Sequence, residues 1–409
     1  VSADEFEFEP VPFEHPLWIL FSSGTTGLPK AIVHGHGGII LQHYVLGALH
    51  YNLKPEDRLF FFTTTGWMMW NFVISSMLYE ACPILYDGNP TYPEPDALWK
   101  LCDDAGAVLF GASPTLQQMQ QNMGLVPKEK FAFEKLESIM LAGSVVSAEC
   151  TQWFYDNVKT NLYVAPGSGG TDICNGFCGP MPGLPVKAGV IQMPHFGVDL
   201  QAFDEHGNSL VNEVGEFVVT QPMPSMPLYF WNDEGNQRYK ETYFEEYPGI
   251  WRQGDYFMIN EEDGCFVLGR SDATLNRYGI RIGTSEIYRA VDGLGEVEDS
   301  IIVNLDLPGE QFFMPLFVKL PEGQSLNDDL KQNINQKLKA DYTPRHCPDE
   351  IYQVEEIPYT LTGKKMEVPV RKILMGQEPD KAANRDAMSN PQSLDYFIQF
   401  REDNLDKLT

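Results

Sequence analysis

Basic residues are scarce in this sequence. Twenty-nine Lys and Arg stand against 57 Asp and Glu in 409 residues, a formal net charge of −28. That excess excludes nucleic acid or an anionic membrane as a general partner, because both require a basic face. An anionic ligand must be held by local donors against an unfavourable overall field. The same acidity also fits a solubility or salt adaptation. Cysteine is sparse too: seven, odd in number and scattered. This excludes a disulfide framework and favours a reduced, cytosolic setting. Cys174 and Cys178 are too far apart for a Cys-x-x-Cys pair and have no second pair for zinc, so they read as packing or loop positions. The charge-free run over 59–79 contains Thr63-Thr64-Thr65-Gly66, Asn71, Ser75 and Ser76. A buried strand, a polar turn and a buried helix suit it better than a membrane span. No internal repeat is visible.

What is present is enough apolar and aromatic residue, 43% and 12%, for packed cores, and length for two or three domains. One stretch stands out: Ser22-Ser23-Gly24-Thr25-Thr26-Gly27-Leu28-Pro29-Lys30, between two apolar runs, 17–21 and 31–34, that read as strands, the first of them buried. Glycines let backbone approach a ligand, N–H groups and hydroxyls form a concave donor set for phosphate, and the lysine adds a point charge. The spacing is not the G-x-x-x-x-G-K-[ST] loop that opens a helix. On composition alone, a phosphate cradle and a plain polar turn both remain open.

Downstream, helical and strand patterns alternate: a helix over 39–53, strands at 58–62, 83–86, 108–111, 138–141 and 162–165, and helices at 96–104 and 148–158. That alternation predicts a mostly parallel α/β sheet. Trp67, Met68 and Met69 follow a strand's C-terminal end, where open α/β sheets keep ligands; core packing is the competing reading. After about residue 185, short strands and turns predict a small antiparallel β-subdomain. Ser271-Asp272 is the expected boundary of a compact α+β domain, which ends near the polar loop Thr362-Gly363-Lys364-Lys365. The segment from Gly376 reads as a polar tail, at most partly ordered, with an apolar anchor at Tyr396-Phe397-Ile398.

Six loops occur in a telling order: 22–30, 143–145, 168–172, Gly254-Asp255, Gly269-Arg270-Ser271-Asp272 and Thr362-Gly363-Lys364. Together they resemble the acyl-adenylate-forming (AMP-binding) superfamily, over nearly the whole chain. Within it, the runs Ser-Ser-Gly-Thr-Thr-Gly-Leu-Pro-Lys-Ala-Ile-Val-His-Gly-His-Gly-Gly and 275–287 look most like the acetoacetate–CoA ligase branch. The resemblance implies an α/β fold. Its large ATP- and acid-binding domain, residues 1–271, has a parallel sheet plus an antiparallel β-subdomain. A small mobile α+β domain carrying the adenylation lysine follows over 272–375, then a tail over 376–409. It implies ATP, Mg²⁺ and coenzyme A as reactants and cofactors, a short-chain carboxylic acid as the other substrate, a cytoplasmic setting, and no nucleic-acid partner.

The resemblance also implies roles. Ser22, Ser23, Gly24, Thr25, Thr26, Gly27 and Lys30 would cradle the β- and γ-phosphates. Thr171 would donate to the α-phosphate, and Asp172 takes the place of an acidic Mg²⁺ ligand that is usually Glu. Gly143, Ser144 and Val145 would line the adenine slot, Asp255 would accept the ribose hydroxyls and Arg270 would reach the ribose. Lys364 would bridge the carboxylate and α-phosphate oxygens as charge develops. The small domain would rotate on Asp272 for the second step, bringing Gly279 and Arg281 to coenzyme A. Trp67, Met68 and Met69 match the acid pocket. Gly169 stands where acetyl-CoA synthetases carry a pocket-shortening Trp, so an acid of about four carbons, acetoacetate above all, is expected. Another short-chain acid and a non-catalytic nucleotide-binding remnant are the alternatives. Family members carry a substantial segment before the first loop, so the chain is expected to begin partway through the large domain.

Overall fold

The computed structural model describes residues 7–22, 30–271, 275–277, 280–307, 311–361 and 363–408. Its centre is a five-stranded, all-parallel sheet in the spatial order Cys82–Ile84, Arg58–Phe61, Leu109–Ala112, Ser138–Leu141, Tyr163–Pro166. Helices Met68–Ser75, Ala97–Asp104, Pro114–Asn122 and Ala148–Asn157 make the crossovers that parallel strands require. Leu59, Phe60, Leu109, Phe110, Ile139 and Val164 are buried, the continuous apolar pattern of strands covered on both faces. Trp99 stacks on Phe110 at 4.2 Å and meets Phe133 and Phe154 edge-on, filling one side. Ser113 and Ser147 cap the helices that follow them, each hydroxyl accepting from a backbone N–H.

The antiparallel subdomain is a five-stranded sheet ordered Ser209–Leu210, Leu200–Phe203, Gly215–Val219, Trp251–Ile259, Cys265–Arg270. A smaller sheet joins Pro16–Phe21, Ala31–Gly35 and Tyr229–Phe230. Here one expectation changes. Pro16–Phe21 is not a buried strand: Phe21 is 65% and Ile19 39% exposed. It lies at the sheet edge, with one strand neighbour, Ala31–Gly35, among the described residues. The expected helix over 39–53 is helix His36–Tyr44 running into a π-helical turn, Val45–His50.

Beyond residue 271, strands Asp299–Ile302, Pro315–Lys319 and Glu350–Val354 form a mixed sheet. Pro315–Lys319 is apolar on both faces. Leu316 and Val318 pack with helices Thr284–Val291 and Asp328–Asp341. Phe317 points the other way, into a core shared with Leu394, Phe397 and Phe400. These come from helix Ser393–Asp403, so the segment after Gly376 is ordered and structural rather than a loose tail. Its anchor is wider than the expected triplet, because Leu394, Phe397 and Phe400 fall on one helical face.

Candidate active site

The C-terminal ends of Arg58–Phe61, Ser138–Leu141 and Tyr163–Pro166 open into a cavity of about 620 Å³, part of it open to solvent. Trp67, Met68, Met69, Gly143, Gly169 and Thr171 all line it. Trp67 sits edge-on to Phe61 at 5.7 Å. Gly143 has φ +105°, and a Cβ there would lie 3.1 Å from the Trp67 ring, so backbone conformation and ring packing both call for glycine. Gly169 contributes backbone. A Cβ on it would come within 2.2 Å of the Asn175 carbonyl oxygen, so a close strand pairing accounts for this glycine as well as cavity length. Ser144 and the 40%-exposed Val145 lie on the surface beside the cavity rather than in its lining.

Lys364 lines the same cavity although it is almost two hundred residues downstream of Thr171. A tight turn presents it. The Gly363 N–H bonds to the Thr360 carbonyl at 2.9 Å with φ +76° at Gly363, and the Lys364 N–H bonds to Thr360 Oγ1 at 3.1 Å. The neighbouring Lys365 points inward and pins the turn. Its ammonium lies 3.0 Å from Asp292 Oδ2, 2.8 Å from Asp299 Oδ1 and 3.9 Å from the centre of the Tyr288 ring. Lys364 itself remains exposed at the cavity mouth. The protein crowding its ammonium lowers its pKa, Asp255 opposes this, Arg270 adds to it, and Asp172 opposes it. Lys364 thus lies within electrostatic reach of Asp255, Arg270 and Asp172.

Lys30 and Asp172 form an ion pair, Nζ to Oδ1 at 2.7 Å. The Tyr243 hydroxyl donates to the same carboxylate oxygen, and its ring stacks on Trp251 at 3.6 Å. Burial pushes the Asp172 pKa up, but Lys30's charge and hydrogen bond, with Tyr243 and Arg270, outweigh it and hold the group at about 2. Asp172 is therefore an anion throughout the working pH range. Ser22 and Lys30 are tied together: the Ser22 N–H bonds to the Lys30 carbonyl at 3.1 Å and Ser22 Oγ accepts the Lys30 N–H at 2.9 Å. Asp255 and Arg270 are register partners on adjacent strands, with Nη1 3.8 Å from Oδ1. Gly254 has φ +79°, and a Cβ there would lie 2.9 Å from Arg270 Nη2. Ser23, Gly24, Thr25, Thr26, Gly27, Asp272 and Gly279 lie outside the described residues, as does the side chain of Arg281.

Sequence reasoning missed a set of neutral histidines behind the site. His34 Nε2 donates to the Asp172 carbonyl at 2.8 Å, His43 Nε2 to the Cys174 carbonyl at 2.6 Å, and His50 Nδ1 to the Pro180 carbonyl at 2.7 Å. Three imidazoles from one short stretch thus hold the 172–180 segment. Their only sequence signal was a cluster of His within 34–50. Burial lowers the pKa of His34 and His43 to about 4 and of His195 to about 3. Glu216, buried beside Arg252 and accepting from Ser271 Oγ at 2.8 Å, moves the other way, to about 7, burial being the largest cause.

The signs fix a pH dependence. A histidine with a depressed folded pKa contributes stability above pH 6.5 that is lost as pH falls towards 4, while Glu216 gains stability over pH 7 to 4.5. Four histidines with lowered pKa, His34, His43, His50 and His195, against two carboxyls with raised pKa, Glu216 and Asp292, leave a net uptake of about two protons on unfolding, or about 2.7 kcal/mol per pH unit. Urea titrations between pH 6.5 and 5 should show that slope, and His34→Gln should flatten it by about one proton. A protein that grows more stable over this interval contradicts the assignment.

Residues 2–230, more than half of the chain, match the AMP-binding enzyme family. The chain belongs to that family. This AMP-binding enzyme is 40% identical to the rat acetoacetyl-CoA synthetase over 403 residues, 98% of the chain and 59% of the rat protein. It is 38% identical to the Rhizobium meliloti (strain 1021) acetoacetyl-coenzyme A synthetase, over 98% of the chain and 61% of that protein. The solved acetoacetyl-CoA synthetase from Streptomyces lividans superposes with a TM-score of 0.92 at 43% identity, covering 97% of this chain and 61% of that one. The chain thus spans about three fifths of the length of these relatives. No helix among the described residues is long and apolar enough to cross a membrane.

Proposed function

We propose that this chain carries the activating machinery of an ATP-dependent acetoacetate–CoA ligase. In the first step acetoacetate attacks the α-phosphate of ATP, giving acetoacetyl-adenylate and pyrophosphate. In the second the thiol of coenzyme A displaces AMP to give acetoacetyl-CoA. The observation that carries the reading is Lys364 lining the cavity of Trp67, Met68, Met69 and Thr171, in the electrostatic company of Asp172, Asp255 and Arg270. Two anions must meet in the first step, and a cation entering from a second domain neutralises the charge that builds between them. The similarity to proteins named acetoacetyl-CoA synthetase supports the choice of acid.

In this reading residues 1–271 form the ATP- and acid-binding part and 272–375 the domain that swings on Asp272. The loop from Ser22 through Ser23, Gly24, Thr25, Thr26 and Gly27 to Lys30 holds the β- and γ-phosphates, and Thr171 the α-phosphate. Gly143, Ser144 and Val145 flank adenine, and Asp255 with Arg270 takes the ribose. Gly279 and Arg281 meet coenzyme A after the rotation. Among the described residues there is no group of three or more His, Cys, Asp or Glu able to cage a metal. The single ionised carboxylate of Asp172 suits Mg²⁺, which keeps its waters and binds through one carboxylate plus substrate phosphates. Mg²⁺ would supply charge neutralisation on the phosphates. The reactants are small molecules, and seven free cysteines fit a reducing, cytoplasmic setting.

Pyrophosphate release should be measured across two- to six-carbon acids with and without a 3-keto group, in the presence of coenzyme A. Acetoacetate is expected to give the highest kcat/KM. Equal or faster turnover of acetate would contradict the choice of acid.

A further inference from the structure

The cavity lining includes polar side chains that the roles above leave unused, Tyr51, Ser168, Asn175 and His195. His195 is buried, 4% exposed, lines the cavity, and follows the short strand Met193–Pro194. Neither ring nitrogen makes a hydrogen bond of good geometry among the described residues, although the Gly176 backbone lies near enough to raise its pKa. The ring lies against two glycines: a Cβ on Gly176 would fall 2.3 Å from its Cε1, and one on Gly179 2.2 Å from its Nε2. Any larger residue at either position would displace it. Its other face meets His50, centroids 4.2 Å apart, and His50 is fully engaged: Nδ1 donates to the Pro180 carbonyl and Nε2 accepts the Phe196 N–H at 3.0 Å.

Burial is the largest influence on the His195 pKa and pushes it down to about 3; His50 adds to the fall and the Gly176 backbone opposes it. The ring is therefore neutral at any working pH, with one N–H donor and one acceptor nitrogen. An unsatisfied buried polar group costs about 1–3 kcal/mol, so a phenyl ring would suit folding better. Leu46, Met68, Met69, Phe72 and Met140 make the apolar part of the lining, and Tyr51, Ser168, Thr171 and Asn175 add uncharged polar groups. Lys364 already supplies the cation that a carboxylate requires. An uncharged donor in the same cavity is the complement of an uncharged acceptor on the acid.

We propose that His195 is a specificity residue of the acid cavity, donating its ring N–H to the keto oxygen of a 3-oxo acid. The inference rests on the acid–CoA ligase reading and deepens it. It explains how the site would separate acetoacetate from butyrate. The two differ by a carbonyl in place of a methylene, so an apolar cavity alone discriminates weakly between them.

The test compares acetoacetate with butyrate in the wild type, His195→Phe and His195→Gln, reading kcat/KM by pyrophosphate release. His195→Phe should lose about ten- to a hundredfold with acetoacetate and keep or gain activity with butyrate, the effect of removing one hydrogen bond to a bound group. His195→Gln, which retains an N–H donor, should recover part of the preference and serves if the Phe variant folds poorly. Equal losses for both acids in both variants would make His195 merely structural and overturn the proposal. A wild type that activates neither acid would overturn the ligase reading itself. A wild type active on both, with an unchanged ratio in the variants, would overturn only the role of His195.

Discussion

Replacing Lys364 with Ala should remove acyl-adenylate formation while leaving the second half-reaction nearly intact. The side chain enters from a turn fixed independently by Lys365, whose ammonium is held between Asp292 and Asp299, so truncating Lys364 leaves the turn in place. What disappears is a positive charge at the cavity mouth. Loss of one preorganised group that stabilises developing charge costs about 3–4 kcal/mol, or roughly a hundred- to a thousandfold in rate. In the proposed reaction thioester formation from preformed acetoacetyl-adenylate would use the rotated domain, and it should stay within about threefold of wild type. Single-turnover assays of each half-reaction separate the two. An equal loss in both would contradict the proposed rotation about Asp272.

Asp172→Asn should be the next most damaging change. The carboxylate pairs with Lys30 and accepts from Tyr243 in a pocket whose backbone is held by His34. Asn keeps the shape but removes the charge that both Lys30 and a phosphate-bound Mg²⁺ require. The Mg²⁺ concentration for half-maximal rate should rise more than about tenfold, and kcat/KM for ATP should fall by about a hundredfold, comparable to losing one charge-stabilising group. Asp172→Glu, which restores the carboxylate on a longer stem, should recover most of the Mg²⁺ response. If Asp172→Asn lowers thermal stability but leaves the Mg²⁺ response unchanged, the residue serves only to hold Lys30.

Much of this site was legible in the sequence, because its parts are glycine-rich loops placed after strands. Gly143, Gly254 and Gly363 all adopt positive φ, and at Gly143 and Gly254 a Cβ would also crowd Trp67 or Arg270. Local chemistry therefore marks them. The strand and helix alternation was also readable, since buried parallel strands such as Leu59-Phe60-Phe61 leave a continuous apolar signature. What stayed hidden depends on distant packing. His34, His43 and His50 look ordinary until the 172–180 backbone is brought against them. His195 gains meaning only from the Gly176–Gly179 face beneath it. The segment after Gly376 looked loose because its polar composition hides one apolar face. The clue lay elsewhere, in Leu316-Phe317-Val318, a strand apolar on both sides that needs two covers.

In the proposed reaction Lys364 and the acid cavity act together to activate a short 3-oxo acid on ATP. Isotope exchange between ATP and pyrophosphate, measured in the absence of coenzyme A, tests it most directly. Exchange in the wild type should depend on added acetoacetate and should fall to background in Lys364→Ala. Exchange that needs no acid, or that survives in Lys364→Ala, would contradict the account.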